Sequence, residues 1–228
     1  MDVPHHHMDI KWKALPRSDA LTHVIKNMLV QEFGKYLQAG NALEAFQMFE
    51  RFRILCALRK GPFGSVALNN LIEQVLKAEK LIEPDKEWYS GRPILITSDD
   101  YHLGLFNGDV GIVLPDSGAN NELRVFFPTA GGTQRKLHPL RLPEHETVYA
   151  MTVHKSQGSE FDRLLLLLPE TASLILTREL IYTGITRARK SVEIWGTEDI
   201  LQAVVARRIQ RSSGLPDALR DRKLAISN

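Results

Sequence analysis

Between Thr152 and Glu160 the chain reads Thr152-Val153-His154-Lys155-Ser156-Gln157-Gly158-Ser159-Glu160. Hydroxyls, an imidazole, an ammonium, a flexible glycine and a carboxylate fall within one short segment. Such a turn can hydrogen-bond phosphates on one side and a ribose on the other, which is the chemistry of a nucleic-acid or nucleotide contact. A solvated polar loop uses the same residue types. No serine or cysteine at nucleophile spacing supports a general-base role for His154. A second stretch, Leu180 to Arg189, reads as an amphipathic helix with guanidinium groups near its end, and arginine forks match phosphate oxygens. Favourable placement of basic side chains at a helix C-terminus explains Arg189 and Lys190 equally well, and Arg187 in part. A third group, Arg207, Arg208 and Arg211 with Arg220, Arg222 and Lys223, is diluted by Asp217 and Asp221. It lacks interleaved aromatic residues and reads as a solvated face rather than a nucleic-acid patch.

Several catalytic signatures are missing. A phosphate-binding Gly-x-x-x-x-Gly-Lys-[Ser/Thr] loop does not occur: Gly61-Pro62-Phe63-Gly64 lacks the lysine, and Gly34-Lys35-Tyr36 lacks both the hydroxyl and the preceding glycine loop. No Cys/His zinc spacing, Gly-x-Ser-x-Gly elbow or His-Glu-x-x-His helix is present, so no metal site and no independent hydrolytic chemistry are expected. The adjacent His5, His6 and His7 belong to residues 1–17, read as a tag or ragged start outside the fold.

The elements that must position these groups follow from periodicity. Ser18 to about Phe52 is rich in helix formers. Phe52 to Leu58 is a short apolar run ending at a Gly-Pro turn, which predicts a buried strand with Cys56 in the core. Ser65 is placed to cap a helix whose Leu68, Leu71, Ile72, Val75 and Leu76 form one apolar stripe. From Trp88 to Glu146 the pattern changes to four β-prone runs, at 93–97, 110–114, 123–127 and 136–142. Turn residues at Asn107-Gly108-Asp109, 118–121 and Gly131-Gly132 separate them, which suggests a small barrel. An α/β rhythm then returns, with strands at 148–153, 164–168 and 191–195. One helix is capped by Thr177, with Ile181, Gly184, Ile185 and Ala188 on its apolar face. A last helix, capped near Thr197, buries Ile200, Leu201, Val204 and Val205 and ends before Ser212. The expected fold is α/β, a parallel sheet carrying a β insertion. The first polar segment then falls at a carboxyl edge, where open α/β sheets bind ligands. The divisions are 18–87, 88–146 for the insertion, 147–213, and a tail at 214–228.

Of 228 residues, 43% are hydrophobic and 25% charged, with a formal net charge of +2. That is the balance of a globular protein and excludes a fibrous or disordered chain. The longest aliphatic run, Leu164 to Leu168, is far too short to cross a bilayer. With no secretory signal and a single cysteine, a cytoplasmic setting is expected.

Taken in order, Val148-Tyr149-Ala150-Met151-Thr152-Val153-His154-Lys155-Ser156-Gln157-Gly158-Ser159-Glu160-Phe161-Asp162 and Tyr182-Thr183-Gly184-Ile185-Thr186-Arg187-Ala188-Arg189 resemble motifs V and VI of superfamily 1 helicases. Leu58-Arg59-Lys60-Gly61-Pro62-Phe63-Gly64 with Leu68-Asn69, and Leu103-Gly104-Leu105-Phe106-Asn107-Gly108-Asp109-Val110-Gly111, resemble the RecD branch, the alpha subunits of exodeoxyribonuclease V. The resemblance covers about Ala42 to Ser213.

It implies a RecA-like second motor domain, 2A, interrupted by an SH3-like insertion, 2B. ATP with Mg²⁺ would be clamped against a missing N-terminal half that carries the P-loop. Arg187 would be the catalytic arginine finger, and Gly158 and Glu160 would lie on the nucleotide side, the carboxylate near the ribose. Thr152, His154, Lys155 and Ser156 would contact single-stranded DNA. The implied activity is ATP-dependent 5′ to 3′ DNA unwinding with RecB- and RecC-type partners, in double-strand break repair and recombination. The chain alone is expected to be inactive as an ATPase. A stand-alone helicase of the same branch differs only in its partners. The alternative from another class is a non-enzymatic module of a truncated or split helicase gene that binds single strands or protein.

Overall fold

The computed structural model describes residues 8–83, 86–129 and 131–206. His5 to His7, the arginine group from Arg207 onward, the helix end expected before Ser212 and the tail all lie outside the described residues.

Five strands form an all-parallel sheet: β1 (Asp9–Ala14), β2 (Phe52–Cys56), β8 (Ala150–Thr152), β9 (Phe161–Leu167) and β10 (Ala188–Gly196), in the order β1-β10-β9-β2-β8. The strands β2 and β9 are central, so both their faces are covered and they read as nearly continuous apolar runs rather than alternating ones. Helix α1 (Leu21–Leu37) packs on α2 (Ala42–Phe49) and α3 (Ser65–Ala78), and α3 also touches β8. Helix α4 (Arg178–Ile185) packs on β9, β10 and α5 (Glu198–Ala206). Thr177 and Thr197 cap these last two helices, each hydroxyl accepting from the backbone N–H three residues on, at 3.2 and 3.3 Å. Helix α3 instead starts at Ser65 itself, with Gly64 as its N-cap. A side chain at Gly64 would meet the carbonyl oxygen of Lys60 at 2.5 Å, so only glycine lets the turn fold back this tightly.

The second sheet is antiparallel and interrupts the first: β3 (Pro93–Ile96), β4 (Val110–Asp116), β5 (Glu122–Pro128), β6 (Gln134–Leu137) and β7 (His145–Thr147), in the order β6-β5-β4-β3-β7. Ile94, Ile96, Leu105, Val113, Val125, Phe127 and Leu137 give it a core of its own. It is anchored to the parallel sheet by buried hydroxyls. Tyr36 and Tyr149 both donate to the carbonyl of Gly91, and Tyr89 donates to Glu73 at 2.7 Å.

Beyond the start of α3, three elements differ from the sequence reading, the first being β7, a fifth strand of the inserted sheet where four β-prone runs are expected. Residues 1–17 do not stand wholly apart, because Asp9–Ala14 pairs in parallel register with Ser191–Gly196 as the edge strand β1. All six residues of β1 are exposed, so it carries no buried period; backbone pairing and the Trp12 ring against Gly196 hold it. Ala188 does not continue the helical face. The helix ends at Ile185, and Ala188 pairs with Phe161 as the first residue of β10. No helix among the described residues is long and apolar enough to cross a membrane.

Candidate functional site

The polar segment 152–160 runs from one edge of the parallel sheet to the other. Thr152 ends β8 level with Cys56 and, through it, with Leu167, at the carboxyl ends of β2 and β9. Phe161 opens β9 at the amino edge. The expected carboxyl-edge position therefore holds for Thr152 to Ser156 but not for Gly158 to Glu160. Between them, a 3-10 turn at His154–Ser156 and a further turn from Ser156 to Ser159 carry the chain across, with Gly158 at φ +84°, a conformation glycine adopts without strain.

At the amino edge lies a cleft of about 620 Å³ lined by Gly158, Ser159, Glu160, Arg187 and Arg189. The sequence-predicted nucleotide residues are thus brought together. Arg187 is half-buried, and its guanidinium donates to the carbonyls of Thr183 and Ser159 and to the Thr186 hydroxyl at 3.3, 3.4 and 3.4 Å. These bonds to uncharged oxygens are long, so a phosphate would compete with them easily. Glu160 is exposed. Arg189 and Lys190, read as helix-end cations, instead ion-pair with Asp162 at 3.1 and 2.7 Å. The Lys190 hydrogen bond, reinforced by both cations, holds the Asp162 carboxyl below its usual range despite some desolvation. The stabilisation it gives is present above the ordinary aspartate pKa and is lost as pH falls through the lowered one.

Sequence reasoning missed the opposite wall. Gly108 and Asp109 of the turn before β4, Val110 of β4 and Pro128 of β5 close the cleft together with Phe49, Glu50 and Arg53. Arg53 sits in the apolar run of β2, 2% exposed, between the Phe49 and Phe161 rings, and donates to the carbonyl of Val148 at 2.8 Å. Burial pushes its pKa down to about 9, opposed by Tyr36 and Glu50, so it remains a cation at neutral pH.

At the carboxyl edge, His154 is exposed and Lys155 half-buried. Thr152 is partly used internally, its hydroxyl accepting from the Lys155 N–H at 3.3 Å. Ser156 corrects the expectation of a DNA contact. It is fully buried and its hydroxyl donates to the carbonyl of Val153 at 2.7 Å, which makes it a brace for the turn. Two further residues set this edge. Asn69 of α3 accepts from the Ala150 N–H at 2.8 Å and donates to the Ala150 carbonyl at 2.9 Å. In a parallel ladder those groups face the side away from β2, so one carboxamide stands in for a missing strand. Glu146 of β7 pairs with Lys155 at 2.6 Å and with Arg59 at 3.1 Å. Asn69 was visible in the sequence only as part of a family pattern, and Glu146 carried no signal. Cys56 is wholly buried, which raises its thiol pKa. No group of three or more His, Cys, Asp or Glu among the described residues is placed to hold a metal ion.

The model of the UvrD-like helicase C-terminal domain matches residues 147–194, which include both polar segments. The RecD subunit of the RecBCD enzyme from Mycobacterium tuberculosis is 42% identical over 176 residues, covering 75% of this chain and 29% of that protein. Its counterpart from Haemophilus influenzae is 37% identical over 200 residues, covering 86% and 30%. The ATP-dependent RecD2 DNA helicase of Deinococcus radiodurans is 33% identical over 171 residues, covering 74% and 23%. The chain spans about three-tenths of the length of the RecD subunits it matches. In sequence it is a match to the C-terminal portion of RecD, a subunit of the RecBCD enzyme.

Proposed function

We propose that this chain is the second, RecA-like motor domain of an ATP-dependent 5′ to 3′ DNA helicase subunit of exodeoxyribonuclease V. The observation that supports this best is the cleft at the amino edge, where Gly158, Glu160 and Arg187 converge from the two helicase-like segments. An N-terminal half would hold ATP and Mg²⁺ in its own P-loop against this cleft. Arg187 would approach the terminal phosphate and Glu160 the ribose; bound ATP supplies the free energy of translocation. The five-stranded antiparallel sheet is the SH3-like subdomain of this reading. At the carboxyl edge Thr152, His154 and Lys155 would contact the single strand, with Ser156 holding their turn. RecB- and RecC-type subunits would be its partners, in double-strand break repair and recombination. Without a P-loop this chain would not hydrolyse ATP by itself.

The DNA side is testable on the chain alone. With a fluorescent oligo-dT strand and anisotropy read across a salt series, His154→Ala with Lys155→Ala is expected to weaken binding. It should also flatten the plot of log K against log salt by about 0.7 for each phosphate that the variant no longer neutralises. An unchanged salt slope would remove these residues from the DNA side. The gene upstream of Met1 tests the motor reading. A strand-loop-helix unit containing Gly-x-x-x-x-Gly-Lys-Thr supports it, whereas a start codon at that point favours a module that binds single strands without ATP.

A further inference from the structure

At the carboxyl edge one carboxylate does two things at once. Glu146 Oε1 takes the Lys155 ammonium at 2.6 Å while Oε2 takes the Arg59 guanidinium at 3.1 Å. The three groups come from three separate places in the chain: the loop after β2, the last strand of the antiparallel sheet, and the turn after β8. They line an open cleft of about 800 Å³ that also includes Thr97, Glu144 and His145. None of the three is deeply buried; the side chains of Arg59, Lys155 and Glu146 are 59%, 29% and 26% exposed. Partly exposed pairs of this kind add little to stability and exchange readily.

A carboxylate with one oxygen on each cation has the arrangement of the two non-bridging oxygens of a phosphodiester. We infer that Arg59 and Lys155 together form one backbone-phosphate site on the single-strand track, and that Glu146 occupies it when no strand is bound. This rests on the DNA side of the proposed function and extends it to Arg59, a residue outside the motif V segment, and to a carboxylate that competes with the ligand. An entering phosphate displaces Glu146 from both cations. The exchange also releases β7, and with it the edge of the antiparallel sheet, from the turn that bears His154. Strand binding is thereby linked to how firmly the inserted sheet is held.

The competing carboxylate makes a prediction that a purely structural ion pair does not. Glu146→Gln keeps the shape of the side chain but removes the charge that must be displaced. Its affinity for oligo-dT at low salt is expected to rise by about 3- to 10-fold, the size of a partly exposed charge interaction. Its salt dependence should steepen by up to about 0.7, because without the Glu146 charge the site neutralises the phosphate more completely and so releases more of the strand's condensed counterions. Arg59→Gln is expected to weaken binding and flatten the slope by about the same amount. Thermal unfolding of each variant confirms that it is folded, and if Glu146→Gln is not, Arg59→Gln decides alone. Should the Lys155 and His154 substitutions weaken binding while Glu146→Gln and Arg59→Gln match the unsubstituted chain, the strand passes this edge without using the Arg59–Glu146 pair and the inference is overturned. Should none of the variants, including those at His154 and Lys155, change strand binding, the DNA assignment of the whole edge fails and this inference with it.

Discussion

If the proposed function holds, then in a protein that joins this chain to a P-loop half Arg187→Ala is expected to lower ATP turnover by at least about 10³-fold, within the range measured for arginine fingers. Nucleotide binding should largely persist, because such a group acts mainly on charge that develops in the transition state. The structure gives two reasons to expect a clean effect. The guanidinium is held by uncharged oxygens at 3.3–3.4 Å, so its removal leaves no carboxylate stranded in those contacts. It is also only half-buried, so the fold should tolerate alanine. Phosphate release at saturating single strand, compared with binding of a fluorescent nucleotide, separates the two quantities. Arg187→Lys should recover little, since an ammonium lacks the planar fork. Turnover at the unsubstituted level would show that another residue reaches the phosphate.

Asn69→Ala is expected to destabilise the chain by about 2–4 kcal/mol, because it strips partners from both a buried N–H and a buried carbonyl at about 1–3 kcal/mol each. Ala150 is 2% exposed, so water does not replace the carboxamide at no cost. Urea unfolding gives the magnitude, and amide exchange at Ala150 gives the location. Asn69→Asp is the informative companion: it keeps an acceptor for the Ala150 N–H but sets a carboxylate against the Ala150 carbonyl. It should therefore be no better than alanine at neutral pH. Full stability in either variant would mean that β8 is held by β2 alone.

The parts of the fold visible in the sequence are those encoded locally. The leucine run 164–168, whose first four residues lie in β9, the stripe Leu68, Ile72, Val75 and Leu76 on α3, and the caps Thr177 and Thr197 each announce themselves within a few residues. Strand β1 does not, because an edge strand with every residue exposed has no alternation to read. The end of α4 comes earlier than its pattern suggests: apolar spacing runs on through Ala188, and only pairing with Phe161 turns that residue into strand. At the site, it is the helicase resemblance, not residue types, that groups Gly158, Glu160 and Arg187, and the fold brings them to one cleft. Ser156 is misassigned by residue type because a hydroxyl in a polar segment gives no sign of which way it faces. Asn69 and Glu146 are out of reach for a different reason. Their partners Ala150 and Arg59 lie 81 and 87 residues away in sequence, and only the folded topology brings them together.

The crossover from β8 to β9 is short. Residues 153–160 alone lead from the carboxyl edge of the sheet to its amino edge, where a parallel connection usually takes a dozen residues or more. Most of that length is wound into two successive turns, and Ser156 pins the first of them into the core. Such a connection behaves as a strut and not as a slack tether. If a strand pulls on His154 at one end, no loose chain takes up the movement before Gly158 and Glu160 at the other. An insertion of two or three glycines after Gln157 would turn the strut into a tether, leaving both mouths intact but mechanically deaf to each other.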